Sequence, residues 1–195
     1  LPSDELREYP QMIVSEVDRL NRLISELLQF SKPKKIVRGE VNINKILDEL
    51  LHLLHSEIVA QKIKLELDLD PSLPAVYGNE QELRQALLNF IKNSLEAMPS
   101  GGVLLLRTKM VTDYIYKDQS KKMQRMVEIK IQDTGVGISE EHKAQLFAPF
   151  FTTKSKGTGL GLMIAQKMIH DSEGMLRISS DLGKGTRVRV YLKVI

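Results

Sequence analysis

The sequence predicts an α/β domain that is preceded by one long, bundle-forming helix. Up to about residue 30, apolar residues recur at heptad spacing, which is typical of a helix that packs against other helices. From Glu40 onward, amphipathic helices alternate with strand-like segments, among them the alternating run Ile63–Leu69. We therefore divide the chain into residues 1–38, a helix with a linker, and residues 39–195, one α/β domain.

The N-terminal helix has an apolar stripe that a single helix cannot bury. Its positions are Leu6, Ile13, Val17, Leu20, Ile24 and Leu27, and they are widened by Leu23, Leu28 and Phe30 as in a four-helix bundle. Pro10 either begins the regular helix or kinks a longer one, and Pro33 ends it in a lysine-rich linker. We expect partner helices from a preceding segment, a second chain or both. The alternative is a helix that lies on the following domain.

Composition excludes several classes of protein. The chain of 195 residues has no cysteine, so disulfides, thiolate zinc sites and cysteine nucleophiles are ruled out. No apolar run reaches the roughly 18 residues of a membrane span, and no secretory signal is visible. We expect a cytoplasmic fragment of a longer protein, without membrane contact of its own. With 28 basic and 25 acidic residues, no Trp and few aromatics, we expect a mixed solvated surface and no nucleic-acid partner.

The second region predicts the following elements in order. They are a strand at 40–43, a helix at 45–60, a strand at 63–69, a helix from Gly78 or Asn79 to about 98, strands at 103–110 and 126–132, a helix capped by Ser139, a helix at 159–171 and a closing hairpin at 175–180 and 187–194. The polar stretch between residues 110 and 126 is expected to be a long hairpin loop.

Two candidate site motifs lie on the long helix and after the second antiparallel strand. Asn89 and Asn93 are four residues apart, so their amides project from one helix face, near Glu96. An amide oxygen suits a hard cation such as Mg²⁺, although for this segment alone two exposed asparagines are the favoured explanation. Asp133 is followed by Gly135 and Gly137, which permit close backbone approach, and a carboxylate there accepts a hydrogen bond from an amine. An ordinary Asp-x-Gly turn is the alternative.

A glycine loop precedes the last helix. The segment Gly157-Thr158-Gly159-Leu160-Gly161-Leu162 offers free N–H groups at a helix N-terminus, which suits phosphate. It lacks the Gly-Lys-Ser/Thr of a P-loop and the glycine spacing of a dinucleotide fingerprint. The preceding Phe150, Phe151 and lysines are typical of a mobile lid, or of a plain surface loop. Gly183-Lys184-Gly185-Thr186 alone predicts only a hairpin turn.

The order of these motifs carries more information than any one of them. Asn-x-x-x-Asn, Asp-x-Gly-x-Gly, Phe-x-x-Phe-Phe with Gly-x-Gly-x-Gly, and Gly-x-Gly-Thr resemble the N box, F box and G boxes of sensor histidine kinases. The resemblance covers about residues 40–195. Residues 15–33 resemble the second helix of that family's dimerisation and phosphotransfer hairpin, and within the family the chain is most similar to sporulation kinases of Bacillus relatives.

This resemblance implies a fold and roles for single residues. The fold would be a two-layer α/β sandwich with a mixed sheet, the GHKL or Bergerat type shared with DNA gyrase, MutL and heat-shock chaperone ATPases. The resemblance implies ATP and Mg²⁺ as cofactors, with Asn93 on the metal and Asn89 supporting metal or phosphates. Asp133 would bind the adenine amino group above Gly135 and Gly137, and Thr186 would assist through a water. The triphosphate would lie along Gly157, Thr158, Gly159 and Gly161, with Leu160 and Leu162 behind it and Lys154 or Lys156 at the γ-phosphate.

The acceptor histidine of the family has no counterpart in this sequence. The four histidines are His52, His55, His142 and His170. His170-Asp171 has the family's dipeptide but lies at a helix end inside the α/β domain, and His52 with His55 lacks a third metal ligand. We expect the acceptor on a helix before Leu1, so that this chain binds ATP without phosphorylating itself.

The resemblance also implies partners, and two other functions compete with it. A kinase of this type would form a homodimer through residues 1–31 with the preceding helix, pass its phosphoryl group to a response regulator or phosphorelay protein, and offer its helix to a possible protein inhibitor. A MutL- or chaperone-type ATPase would carry a general-base glutamate where this sequence has Asn89. A non-catalytic dimerising scaffold would show no Mg²⁺-dependent ATP affinity.

Overall fold

The computed structural model describes residues 13, 14, 17 and 37–195, apart from residues 118, 119, 155 and 156. At 113–117 and 120–123 it describes the backbone alone. Ile13, Val14 and Val17 are helical and exposed. The rest of the predicted bundle helix and its linker lies outside the described residues, so the heptad seam stays a prediction. Within the part of the chain that is described, no helix is both long and apolar enough to cross a membrane.

The described residues form seven strands and four helices. In chain order they are β1 (Gly39–Val41), α1 (Ile43–Ala60), β2 (Ile63–Leu69), β3 (Val76–Gly78), α2 (Glu80–Glu96), β4 (Gly102–Lys117), β5 (Ser120–Asp133), α3 (Glu140–Lys143), α4 (Gly161–Asp171), β6 (Met175–Asp181) and β7 (Gly185–Lys193).

Five strands form one mixed sheet in the order β2-β4-β5-β7-β6. β2 runs parallel to β4, and the other neighbouring pairs are antiparallel. A parallel pair needs a long crossover, and α2 lies in the connection between these two strands. β1 and β3 form a separate antiparallel pair, which a bridge from Val76 to Val194 joins to the C-terminal end of the chain.

Helices cover one face of the mixed sheet and build the hydrophobic core with it. The core includes Leu47 and Leu50 of α1, Leu87 and Ile91 of α2, Ala165 and Ile169 of α4, and the strand residues Leu104, Leu106, Ile129, Ile131, Val188 and Val190. Because side chains alternate along a strand, residues 107, 130 and 189 point to the opposite face. The predicted two-layer α/β sandwich with a mixed sheet is confirmed.

Local signals fix where the two long helices begin. Asn42 accepts a hydrogen bond from the Lys45 N–H at 3.0 Å and caps α1. Asn79 accepts one from the Glu82 N–H at 3.0 Å and caps α2, while its own amide donates to the Val37 carbonyl at 3.1 Å. Such caps satisfy backbone donors that the first helical turn leaves without partners.

The loop predicted between residues 110 and 126 is wrong. β4 and β5 remain paired as one long hairpin until Lys117 and Ser120. The β-branched and aromatic residues Val111, Tyr114, Ile115 and Tyr116 favour a strand by type. The charged residues around the turn of this hairpin therefore made the segment resemble a loop in sequence. The short strand β3 was also not predicted, because three residues carry too little periodicity.

The expectation of evenly spread charge is wrong on one surface. The sheet face away from the helices carries Arg107, Lys109, Lys130, Arg187 and Arg189 around a concavity, with Glu128 as the one acidic residue of its lining. Residues far apart in sequence reach this face because strand alternation and strand order bring them there. Composition counts charges but contains no information about the sheet order that groups them.

Candidate active site

Asp133 forms the buried end of the candidate site. It ends β5, is 3% exposed, and accepts N–H groups of Gly135 at 2.9 Å and Thr186 at 3.0 Å on Oδ1. Its Oδ2 accepts the Ser94 hydroxyl at 3.0 Å. A carboxylate has about four acceptor positions, so three donors leave one for a ligand. This carboxylate is thus held rigidly and retains acceptor capacity on Oδ2.

The turn after Asp133 packs against the end of α2. The Val136 N–H donates to the Ala97 carbonyl at 3.1 Å. A Cβ on Gly135 would lie 2.5 Å from that same carbonyl oxygen, a distance no side chain tolerates. Gly135 is therefore required for the close approach of turn and helix, as the sequence predicted from its spacing. Gly137 follows in the same turn, against the backbone of Asp181.

The start of β7 is attached to the same carboxylate. Thr186 donates its N–H to Asp133, and its hydroxyl lies 2.9 Å from the Ser180 hydroxyl. Ser180 in turn contacts the Gly185 carbonyl at 2.9 Å. Two strand ends, β5 and β7, are thereby joined at one point, and the predicted pair Asp133 and Thr186 is in direct contact.

Asn89 connects α2 with the beginning of α4. Its side-chain amide donates to the Gly161 carbonyl at 3.1 Å, and its Oδ1 accepts from Gln85 at 3.3 Å. A Cβ on Gly161 would meet this amide at 3.8 Å, an ordinary contact, so this glycine is not required by space. Asn89 therefore positions the glycine loop in this structure.

Asn93 faces residues 150–154, which precede the glycine loop and which we call the lid segment. Its Oδ1 accepts a hydrogen bond from the Lys154 ammonium at 2.8 Å, and the same ammonium is paired with Glu96. An amide oxygen and a carboxylate thus share one cation on this face of α2. The predicted metal residue and the predicted lid lysine are brought together, whereas Lys156 lies outside the described residues.

The glycine loop leads into the N-terminus of α4. α4 begins at Gly161 after Leu160, which is buried and offers no side-chain cap. Its first-turn N–H groups therefore lack the acceptor that a capping side chain would supply. Gly159 has φ +71, which a larger residue rarely adopts, and its backbone approaches Phe150. Leu162 packs against the core.

The lid segment makes one aromatic contact with α3. The rings of Phe151 and His142 lie 5.5 Å apart at 58°. Phe150 is exposed and has φ 63, so its backbone is held in a conformation that costs free energy. Within the described residues, no group of three His, Cys, Asp or Glu side chains could hold a metal ion.

Helix α2 joins all these parts. Asn89 contacts the α4 loop, Asn93 contacts the lid, and Ser94 contacts the end of β5. Over residues 89–97 the helix advances about 12 Å. Three separated segments thus contact the C-terminal half of α2.

Sequence reasoning missed the roles of Ser94 and Glu96. A signal for Ser94 was available, because a serine between Ile91 and Leu95 on an apolar helix face needs a buried partner. No comparable signal marked Glu96, which lies on the exposed side, since its partner Lys154 comes from a loop 58 residues away.

A family model described as histidine kinase-, DNA gyrase B-, and HSP90-like ATPase matches residues 78–195. The chain belongs to this family. The matched region includes α2, the mixed sheet from β4 onward, and every predicted site residue.

The more specific relatives are sensor histidine kinases. Sporulation kinases E and C of Bacillus subtilis (strain 168) are each 33% identical to the chain over 95% of its length, and the match covers 24% and 41% of their lengths. A solved structure of histidine kinase ThkA in complex with response regulator protein TrrA matches 97% of this chain and 52% of that chain, with a TM-score of 0.75 at 26% identity. The chain thus spans less than half the length of these two curated relatives.

Proposed function

We propose that the chain binds ATP with Mg²⁺ along α2 and is the catalytic part of a sensor histidine kinase. The observation that carries the proposal is that α2 contacts three separate segments. Asn89 contacts the glycine loop, Asn93 contacts the lid segment, and α2 reaches Asp133 at the end of β5 through a hydrogen bond. The relatives named above support the kinase class. The physical fit of each part follows.

The purine would bind at Asp133. Its remaining acceptor position on Oδ2 suits the exocyclic amine of adenine, which donates hydrogen bonds. Guanine presents a carbonyl oxygen at the corresponding ring position, so two acceptors would face each other without a proton between them. Bonds from Ser94, Gly135 and Thr186 keep the carboxylate from turning away.

The residues near Asn93 fit a magnesium ion. The Asn93 oxygen already accepts a hydrogen bond from a cation, the Lys154 ammonium, so its environment tolerates positive charge there. Mg²⁺ commonly takes one or two protein oxygens and completes its shell with water and substrate phosphates. When bound, it would neutralise charge on the phosphates, and Asn93 would hold it.

The phosphates would lie between the glycine loop and the lid. The N-terminus of α4 presents backbone N–H groups and the positive end of the helix dipole. Lys154 reaches Asn93 and Glu96 in this structure, and rotation of its flexible side chain would bring its ammonium to the γ-phosphate. Asn89 would fix the loop through the Gly161 carbonyl.

Phosphoryl transfer at such a site depends on positioning and charge neutralisation. An imidazole nitrogen attacks the γ-phosphorus in line, the bond to the bridging oxygen breaks, and ADP leaves. The residues of this chain hold the nucleotide and stabilise charge on the departing diphosphate. The histidines of α1, His52 and His55, are remote in sequence from every site motif, and His142 contacts the lid ring. We propose that a separate helix supplies the acceptor.

The proposal extends to partners. By similarity to the ThkA–TrrA complex, a response regulator or phosphorelay protein would receive the phosphoryl group. Residues 1–31 would form the dimer with a preceding helix, and that helix surface would be open to a protein inhibitor. A hydrolase of the MutL or chaperone type is disfavoured, because Asn89, bound to Gly161, is no general base.

Calorimetric titration of the chain with a non-hydrolysable ATP analogue tests the binding proposal. We expect binding with Mg²⁺ and a loss of at least tenfold in affinity for Asn93→Ala, with little change when EDTA replaces the metal. Lys92→Ala, the neighbouring residue on α2, is the matched control. A folded sample that binds no nucleotide would show the scaffold function instead.

Labelling with γ-phosphate-labelled ATP tests the kinase proposal. A protein in which a helix with the acceptor histidine precedes this chain should acquire an acid-labile, base-stable label, as expected of phosphohistidine, whereas this chain alone should not. Rapid release of inorganic phosphate by the chain, without any labelled protein, would instead identify a hydrolase.

A further inference from the structure

The outer face of the sheet carries a row of basic side chains across four strands. Arg107 of β4 is paired with Lys130 of β5, Lys130 with Arg189 of β7, and Arg189 with Arg177 of β6. We call these four residues the basic row. Neighbouring strands lie about 4.8 Å apart, so the row spans about 14 Å. Directly paired residues face the same side, so four positive charges lie in line.

Three residues of the basic row, Arg107, Lys130 and Arg189, line a concavity of about 420 Å³. Its walls are formed by Arg107, Lys109, Glu128, Lys130, Arg187 and Arg189. This volume falls within the range of about 300–1,000 Å³ that is typical of small-molecule sites. Arg107, Lys130, Arg187 and Arg189 are half-buried rather than fully extended into solvent. The charges therefore border one side of an open concavity of this volume.

Acidic residues offset only part of this charge. Asp68 pairs with Arg107 at the β2 edge, and Glu128 lies 3.6 Å from Lys109. Arg187 donates to the Gln132 side chain at 3.0 Å, which is uncharged. Within the described residues, no carboxylate pairs with Lys130 or Arg189. Two cations at the centre of the row thus have no acidic partner there.

Burial and like-charge repulsion both disfavour the charged form of Lys130 in this arrangement. Burial lowers the pKa of the Lys130 ammonium from its usual value, and the nearby Arg107 and Arg187 guanidinium groups lower it further. Arg189 acts in the same direction, and Glu128 opposes it. Like charges directly opposite on neighbouring strands destabilise a sheet. A bound anion would remove this cost.

We propose that the basic row and its concavity form a second ligand site, for a small anion with several phosphate groups. Guanidinium groups bind phosphate through two parallel N–H donors, and three arginines with one lysine supply them here. Because helices cover the opposite face, this site is separate from the α2 site and does not depend on the proposed kinase function.

The geometry favours a small anion over a macromolecule. Asp68, paired with Arg107 at one end of the row, would repel a polyanion long enough to continue past that end. The nearby aromatic ring, Tyr191, is covered by the Arg177 guanidinium at 5.3 Å, so it offers no surface on which a base could stack. A membrane surface would contact projecting side chains more readily than Arg107, Lys130 and Arg189, which are half-buried.

The test uses inorganic tripolyphosphate and this chain, without added metal. Calorimetry measures the affinity, and backbone amide shifts locate the site. The double variant Lys130→Gln/Arg189→Gln should lose at least tenfold in affinity. The control Lys45→Gln/Lys64→Gln loses the same charge, but at ammonium groups near Glu49 and Glu66, and should bind as the parent does.

Each outcome decides the proposal. Shifts at residues 107, 130, 177 and 189 with the expected loss support it. Shifts confined to residues 157–161 would assign the anion to the α2 site and overturn it. Equal losses in both double variants would reduce the effect to net charge and overturn it too.

Two further binding measurements test larger partners, and a third measurement tests whether the variants fold. Binding of phosphatidylserine vesicles or of a single-stranded oligonucleotide through the same row, without tripolyphosphate binding, would contradict a small-ligand site. All variants are checked by thermal unfolding. If the double variant does not fold, Lys130→Gln alone should still weaken tripolyphosphate binding by several-fold, and unchanged affinity would refute the proposal.

Discussion

At the scale of single residues, Asp133 shows how packing prepares a side chain for recognition. Three donors from α2, the turn and β7 fix its carboxylate, and none of them is a charged group. The carboxylate is thus held by the fold, and its remaining acceptor position is fixed in direction before any ligand arrives. Preorganisation of this kind lowers the cost of binding.

Asp133→Asn tests this residue. The amide replaces one oxygen with a donor, so we expect the preference for ATP over GTP to fall by about 10- to 100-fold, since hydrogen bonds to charged groups contribute about 1.5–3 kcal/mol. Competition binding with both nucleotides measures the ratio. Asp181→Asn, on the exposed end of β6, is the control. Selectivity that survives in Asp133→Asn would remove this carboxylate from purine recognition.

Lys154 makes a second prediction at this scale. Its ammonium holds the Asn93 oxygen and Glu96, so it competes with any metal for that oxygen. Lys154→Met should weaken metal-free nucleotide binding by several-fold, because a cation near the phosphates is lost. It should also increase the ratio of affinities with and without Mg²⁺.

Titrations in Mg²⁺ and in EDTA give that ratio for Lys154→Met. Lys143→Met, which removes an ammonium paired with Glu140 on α3, is the matched control. A ratio that falls in Lys154→Met would mean that this lysine assists the metal rather than competing with it.

At the scale of elements, the cap of α2 matters because this helix positions every site motif. Asn79→Ala removes the acceptor for the Glu82 N–H and should cost about 1 kcal/mol of unfolding free energy, measured by urea denaturation. Asn79→Asp keeps the acceptor and should lose much less. Equal losses in both variants would attribute the effect to the bond that Asn79 donates to Val37 instead.

The elements also show which information the sequence contains. Helices α1 and α2 and strand β2 were predicted nearly to their bounds, because long amphipathic periods and caps such as Asn79 are local signals. The β4–β5 hairpin was cut short, because its polar tip resembles a loop in sequence although its backbone remains paired.

The candidate site could be predicted only in part, because only some of its residues belong to motifs that are recognisable locally in the sequence. Residues of fixed motif spacing, such as Asn89, Asn93 and Asp133, could be found from the sequence. Ser94 gave a partial signal as a serine on an apolar helix face, but its partner and the role of Glu96 could not be found, since only the folded chain brings those partners near. The basic row could not be predicted from the sequence, because its four residues become neighbours only through the order of the strands in the sheet.

At the scale of the whole molecule, we expect the α/β domain to fold and to bind nucleotide without the N-terminal helix. The described α/β domain buries its own core with α1, α2, α4 and the mixed sheet, and the site is built within it. The predicted seam residues Ile13 and Val17 are 63% and 49% exposed in the single chain. Exposed apolar residues four apart on a helix favour association with other helices.

Deleting residues 1–37 therefore gives the last prediction. If the heptad stripe forms the dimer, the truncated chain should be monomeric by analytical ultracentrifugation, while its affinity for the ATP analogue stays within about twofold of the parent. The Asn79 cap loses its Val37 contact in this variant, so the cut at residue 36 is the control for that bond. A dimer that persists after either cut would place the interface on the α/β domain. The basic face of the sheet is a poor surface for such self-association, because two copies would bring like charges together.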